Sequence, residues 1–133
     1  MPTVIRRSET LTVGSRRETR SALGWEVTRR VWSPPADVYE TDAGYVVTLE
    51  VAGMREGDFD VVFDGGTLYI EGHRQDVKER RAYHQMEIHF GKFSTAVTVP
   101  GPVDLESSRA EYKDGFLTVR MPKLKRTDVK VAE

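Results

Sequence analysis

The sequence contains no cysteine and no asparagine, and its only glutamines are Gln75 and Gln85. The first absence removes disulfides, thiolate nucleophiles and Cys-based zinc sites together. The second removes N-glycosylation, and a shortage of thermolabile amides is a trait of heat-tolerant chains. No run approaches the ~18 consecutive apolar residues of a membrane span. The opening MPTVIRRSETLTVGSRR also lacks the apolar centre of a secretory signal, so a cytoplasmic location is expected.

What is present is a charged chain of 133 residues, 38% hydrophobic and 31% charged, with a net charge of −1. That length accommodates one domain of roughly 90 to 110 residues plus appendages. The near-neutral total hides an asymmetry: residues 1–31 carry seven arginines against three glutamates, so the excess of acid lies in residues 32–133. Pro34-Pro35 disfavours helix where the composition changes. The expected organisation is an arm over 1–31, partly disordered or a short helix, a domain over 32–123, and a polar extension over 124–133.

Inside the domain the apolar residues recur with period two. Tyr45, Val47, Leu49 and Val51 share one face, with Val46, Thr48 and Glu50 on the other. Phe59, Val61 and Phe63 alternate with Asp58, Asp60 and Asp64; Asp64-Gly65-Gly66 then offers a hairpin turn before Leu68 and Ile70. Met86, Ile88 and Phe90 form a further alternating run, followed after Gly91 by Phe93, Thr95, Val97 and Val99. Arg109–Tyr112 and Phe116–Met121 flank a Lys113-Asp114-Gly115 turn, and Pro122, which has no amide hydrogen, is expected to end the last strand. Seven or eight short strands with no sustained helical period predict an all-β fold, an immunoglobulin-like antiparallel sandwich with a flexible arm and tail. The segment Gln75–Ala82, QDVKERRA, reads by composition as a long solvated loop.

Residue patterns that would carry chemistry fail their tests. His84 and His89 are separated by an odd interval and fall on opposite faces of one strand, and His73 stands at a strand end. Gly91-Lys92-Phe93-Ser94 lacks both the upstream glycine and the following hydroxyl of a phosphate loop, and no G-x-S-x-G elbow occurs. Neither an enzyme nor a cofactor site is expected. The arginine-rich arm, interrupted by Glu9, Glu18 and Glu26 and lacking an aromatic platform, is a weak footprint for nucleic acid. A binding or structural protein remains.

Three stretches then gain meaning together. AEYKDGFLTVRMPK (Ala110–Lys123) resembles the A-x-x-x-G-x-L-x-V-x-x-P signature of the α-crystallin domain, with Ala110, Gly115, Leu117, Val119 and Pro122 at its fixed positions. WSPPADVYET (Trp32–Thr41) and YHQMEIHFGKFSTAVTVP (Tyr83–Pro100) resemble the opening and middle segments of bacterial small heat-shock proteins, in the same order. The resemblance implies an ATP-independent holdase that binds partly unfolded clients, prevents their aggregation and passes them to ATP-driven refolding chaperones, with no specific nucleic-acid or membrane partner. A non-chaperone module that docks one defined protein partner is the alternative.

The resemblance also implies roles for particular positions. Gln75, Asp76, Val77, Lys78, Glu79, Arg80, Arg81 and Ala82 stand where relatives have a loop that crosses to a second subunit and pairs with its Asp37-Val38-Tyr39-Glu40 strand, which implies a homodimer. Val129 and Val131 match the spacing of a tail motif that joins dimers into larger homo-oligomers; the accepting groove is expected between Leu68 and Ile70 on one strand and Ala110 and Tyr112 on another. Leu23, Trp25, Val27 and Val31 are the arm residues expected to meet clients. Two departures stand out: Ile88 and Thr95 occupy positions where relatives have arginine.

Overall fold

Alternation becomes strand wherever one face can be covered, and here two sheets cover each other. The computed structural model describes residues 5–7 and 31–125. Its strands are β1 (Ile5–Arg7), β2 (Ala36–Glu40), β3 (Gly44–Glu50), β4 (Phe59–Asp64), β5 (Thr67–Arg74), β6 (Gly91–Thr98), β7 (Arg109–Lys113) and β8 (Phe116–Pro122). They form two four-stranded sheets, ordered β1-β4-β5-β6 and β2-β3-β8-β7. Every pairing is antiparallel except β1 with β4, which is parallel.

The core lies between the sheets. Val47, Leu49, Leu117, Val119 and Met121 from one sheet meet Val61, Leu68, Ile70 and Phe93 from the other, all without exposed surface. Phe59 and Phe93 meet edge-on at 6.0 Å between ring centroids, and Trp32 packs on the other flank of Phe93 at 5.3 Å. In the strands that form, the alternation read from the sequence is the alternation observed, with one addition. Val46 lies on the outer face of β3 yet is buried, because it sits in register between Tyr39 of β2 and Arg120 of β8.

Both hairpin turns follow from backbone chemistry. Gly65 and Gly66 have φ of 57° and 82°, and Asp114 and Gly115 have 52° and 84°. Two consecutive positive φ values give the twist that matches flanking strands, and glycine or aspartate reaches them at little steric cost. Pro122 is the last residue of β8, opposite Gly44. Pairing continues one step beyond it, since Lys123 N–H donates to Ala43 O at 2.9 Å. The Lys123 ammonium also reaches Glu40 Oε2 at 2.7 Å, and that hydrogen bond holds it above its ordinary pKa. A raised lysine value favours the folded chain at lower pH, and this contribution is lost only as pH rises through the raised value.

One expected strand is absent. Residues 75–90 contain no strand, and Met86, Ile88 and Phe90 belong to an irregular loop between β5 and β6. Alternation alone does not make a strand without a neighbour: β5 already pairs on both sides, and among the described residues this segment joins neither sheet. Conversely, β1 lies in the arm, where periodicity gives no sign of it.

Candidate functional site

The edges of the sheets decide what this fold can bind. β2 pairs with β3 on one side only, and all five of its residues are exposed. Its Val38 and Tyr39 are 50% and 48% exposed. A free edge carrying apolar side chains is a template for another strand, and proteins that act alone blunt or cover such edges. Asp37, Val38, Tyr39 and Glu40 therefore stand together on an open edge.

The loop over 75–90 is the second exposed surface. Gln75, Asp76, Val77, Lys78, Glu79, Arg80, Arg81 and Ala82 are all exposed, and further along so are Tyr83, Met86 and Ile88. Within the loop, Arg81 donates to Glu79 Oε1 at 2.7 Å, to Tyr83 Oη at 3.0 Å and to Asp76 Oδ1 at 3.3 Å. The Tyr83 and Glu79 hydrogen bonds raise the Arg81 pKa, so the guanidinium stays charged and holds a local turn. Within one chain the loop does not pair with β2, whose sole strand partner among the described residues is β3.

The base of the loop is latched. Arg74, the last residue of β5, donates from Nε to His89 O at 2.8 Å and from Nη1 to Ala52 O at 3.2 Å, and its Nη2 also reaches His89 O. Its guanidinium lies 4.5 Å from the Trp32 ring centroid and 5.5 Å from that of Phe90. His89 stacks on Trp32 at 5.4 Å, and the indole Nε1–H donates to Gly91 O at 3.2 Å. Arg74→Ala removes the charge-assisted bonds and the cation–π contact. Limited proteolysis within 75–90 is expected to quicken about tenfold, equivalent to roughly 1.4 kcal/mol, with the core unaffected.

The expected tail groove needs correction. Leu68, Ile70 and Ala110 are fully buried in the core, and Tyr112 is pinned by donating to Val51 O at 2.8 Å and accepting from Met54 N–H at 3.3 Å. Moreover, β5 lies between β4 and β6 in its sheet. The strand beside β7 at the sandwich margin is β4, whose Phe59 ring lies 5.0 Å from Tyr112, and β1 pairs along the other side of β4. Periodicity identifies strands but not which of them become edges, so the choice of β5 had no physical basis in the sequence.

The motif residues of the closing hairpin act structurally. Ala110 faces Val119 in register, and Leu117 and Val119 fill the core. Gly115 supplies the turn and accepts from Val51 N–H at 2.8 Å. Ile88 is exposed in the loop, and the Thr95 hydroxyl oxygen is buried without a hydrogen-bond partner. Val31 is 53% exposed; Leu23, Trp25, Val27, Val129 and Val131 lie outside the described residues. Among the described residues, no group of three or more His, Asp or Glu is arranged to hold a metal ion.

The two-sheet sandwich agrees with what comparison finds. The model of the Hsp20/alpha crystallin family matches residues 37–132. The chain belongs to this family. Small heat shock protein C4 of Rickettsia felis is 30% identical over 103 residues, 76% of this chain and 63% of its own length. Spore protein SP21 of Stigmatella aurantiaca is 35% identical over 92 residues, 68% of this chain and 54% of its own. This Hsp20-family chain thus spans little more than half to two thirds of the length of such relatives. Among solved structures, heat shock protein 16.0 from Schizosaccharomyces pombe is 30% identical with a TM-score of 0.64, covering 76% of this chain and 81% of that one. A small heat-shock protein from Xylella fastidiosa superposes with a TM-score of 0.69 at 24% identity over 78% of this chain and 97% of that one, a likeness of fold. Among the described residues, no helix is long and apolar enough to cross a membrane.

Proposed function

We propose that the chain is an ATP-independent holdase, acting in the cytoplasm, whose building block is a homodimer. In that dimer the Gln75–Ala82 segment of each subunit covers the β2 edge of the other. The observation that carries this reading is the coexistence, in one chain, of an edge strand whose outer side is open and bears Val38 and Tyr39, and an exposed loop bearing Val77, Tyr83 and Met86. A heat-damaged client likewise exposes apolar surface and strand edges that aggregate unless covered. Covering them is favourable at roughly 25 cal/mol per Å² and needs no nucleotide. Clients held in this way pass to ATP-driven refolding chaperones.

The test is to heat a labile enzyme without ATP and follow light scattering. Suppression at about one subunit per client is expected, a ratio set by surface coverage rather than turnover. Unchanged scattering at molar excess of this chain overturns the reading.

Assembly beyond the dimer is assigned to Val129 and Val131, docking at the margin formed by β4 and β7 of a neighbour. The parallel strand β1 lies along that margin, so residues 5–7 and a neighbour's tail compete for one edge. Val129→Ala with Val131→Ala removes two methyl groups at each site. At about 0.8 kcal/mol per buried carbon, docking weakens by roughly 3 kcal/mol, or more than 100-fold. Light scattering is expected to show any larger assembly reduced to dimers with the thermal unfolding midpoint unchanged; identical mass for both proteins contradicts tail docking.

A further inference from the structure

A groove of about 480 Å³ opens beside the latch, between Trp32, the Ile88 end of the loop and the β7–β8 turn. Trp32, Ile88 and Phe116 give it an apolar lining, and the last two are 66% and 43% exposed. Glu50, Glu87 and Asp114 stand on its rim, all exposed to solvent. Among the described residues, the Glu50 and Asp114 carboxylates have no hydrogen bond or ion pair, and Glu87 accepts from the neutral amide of Gln85. Among the described lining residues the one Lys or Arg is Arg74, already committed to the His89 and Ala52 carbonyls and stacked on Trp32. Three carboxylates against one engaged guanidinium leave the rim negative.

We propose that this groove binds extended polypeptide segments in which apolar residues alternate with lysine or arginine. The apolar side chains would lie on Trp32, Ile88 and Phe116 while the cationic ones reach Glu50, Glu87 and Asp114. In an extended segment alternate side chains point to opposite sides, and long basic side chains can bend their heads toward a charged rim while their stems cover apolar surface. The same rim repels phosphate-bearing and acidic ligands. This inference rests on the holdase reading and deepens it, because it assigns a charge preference to client capture.

The experiment measures fluorescence anisotropy of the full chain with two labelled ten-residue peptides, one alternating leucine and phenylalanine with lysine, the other identical but with glutamate. The lysine peptide is expected to bind about tenfold tighter, and the preference to shrink several-fold between 0.05 and 0.5 M salt as the rim charges are screened. Glu50→Gln with Asp114→Asn is expected to remove most of the preference. Asparagine tolerates the positive φ at position 114, so the turn survives, which unfolding curves verify. Equal affinity for the two peptides overturns the proposal, as does a preference that the double substitution leaves intact. A peptide that binds only as the assembly dissociates, followed by light scattering, assigns the groove to a second copy of the chain and also overturns it. Aggregation suppression without any peptide preference removes the groove assignment alone; peptide preference without suppression removes the holdase reading alone.

Discussion

Phe93→Ala is expected to lower the unfolding free energy by roughly 3–5 kcal/mol, read as a lower urea midpoint with an unchanged slope. Phe93 has no exposed surface and touches both Trp32 and Phe59. Its ring also occupies the space that a side chain at Gly72, its cross-strand partner, would need. Deleting it opens a cavity bounded by aromatic rings and backbone on neighbouring strands, where collapse is difficult, and a loss of that size is a large share of a typical stability of about 5–15 kcal/mol. Phe116→Ala makes the control. Phe116 is 43% exposed at the groove, so the same truncation is expected to cost about 1 kcal/mol or less. Equal costs at the two positions would contradict a core centred between the sheets.

Deleting Gln75–Ala82 is expected to convert dimers to monomers, halving the mass measured by light scattering. The deletion leaves the sandwich closable, because Arg74 and Gly91 are paired in register and residues 83–90 remain to connect them. What it removes is the strand-length segment proposed to cover the partner's β2, and with it the burial of Val38, Tyr39 and Val77. Obligate interfaces bury large areas, so losing one of two symmetric halves removes the other by the same stroke. A dimer that persists would move the pairing elsewhere, to an edge contact along Met86–Phe90. The monomer is also expected to aggregate at its newly bare edge when heated, which separates a lost interface from a lost fold.

How much of this was readable in the sequence depends on what each feature needs. The strands β3, β4, β5 and β8 need only one covered face, and the alternation of Tyr45–Val51, Phe59–Phe63 and Phe116–Met121 announces that face directly. The turns at Gly65-Gly66 and Asp114-Gly115 are local chemistry and were equally legible. Val46 was not, because its burial comes from neighbours on β2 and β8 that only topology brings beside it. Met86–Phe90 shows the converse: strand-like alternation that joins no sheet among the described residues. The three-residue β1 lies in an arginine-rich arm and is too short for a period-two pattern to be read.

The tail groove failed for a related reason. β4 and β5 carry similar alternating patterns, and nothing in either pattern says that β4, through Phe59 against Tyr112, will be the strand that lies beside β7. The Arg74 latch was invisible for the same cause: Trp32, Arg74 and His89 are distant in sequence and meet only when β6 docks against the segment before β2. The exposed β2 edge, by contrast, was marked by the motif that contains it.

Reciprocal exchange of the loop can be tested by chemical cross-linking, for which a chain without cysteine is a clean background. Val38→Cys places one thiol on the β2 edge and Val77→Cys places one in the loop, at positions 50% and 64% exposed. The two variants, one carrying a tag that shifts its mass, are mixed, allowed to exchange subunits and treated with a short bis-maleimide. Loop exchange predicts that the dominant product joins one Val38→Cys chain to one Val77→Cys chain, in clear excess over either variant joined to itself. Self-joined products alone, or no product at all from a mixture that light scattering shows to be dimeric, would contradict it.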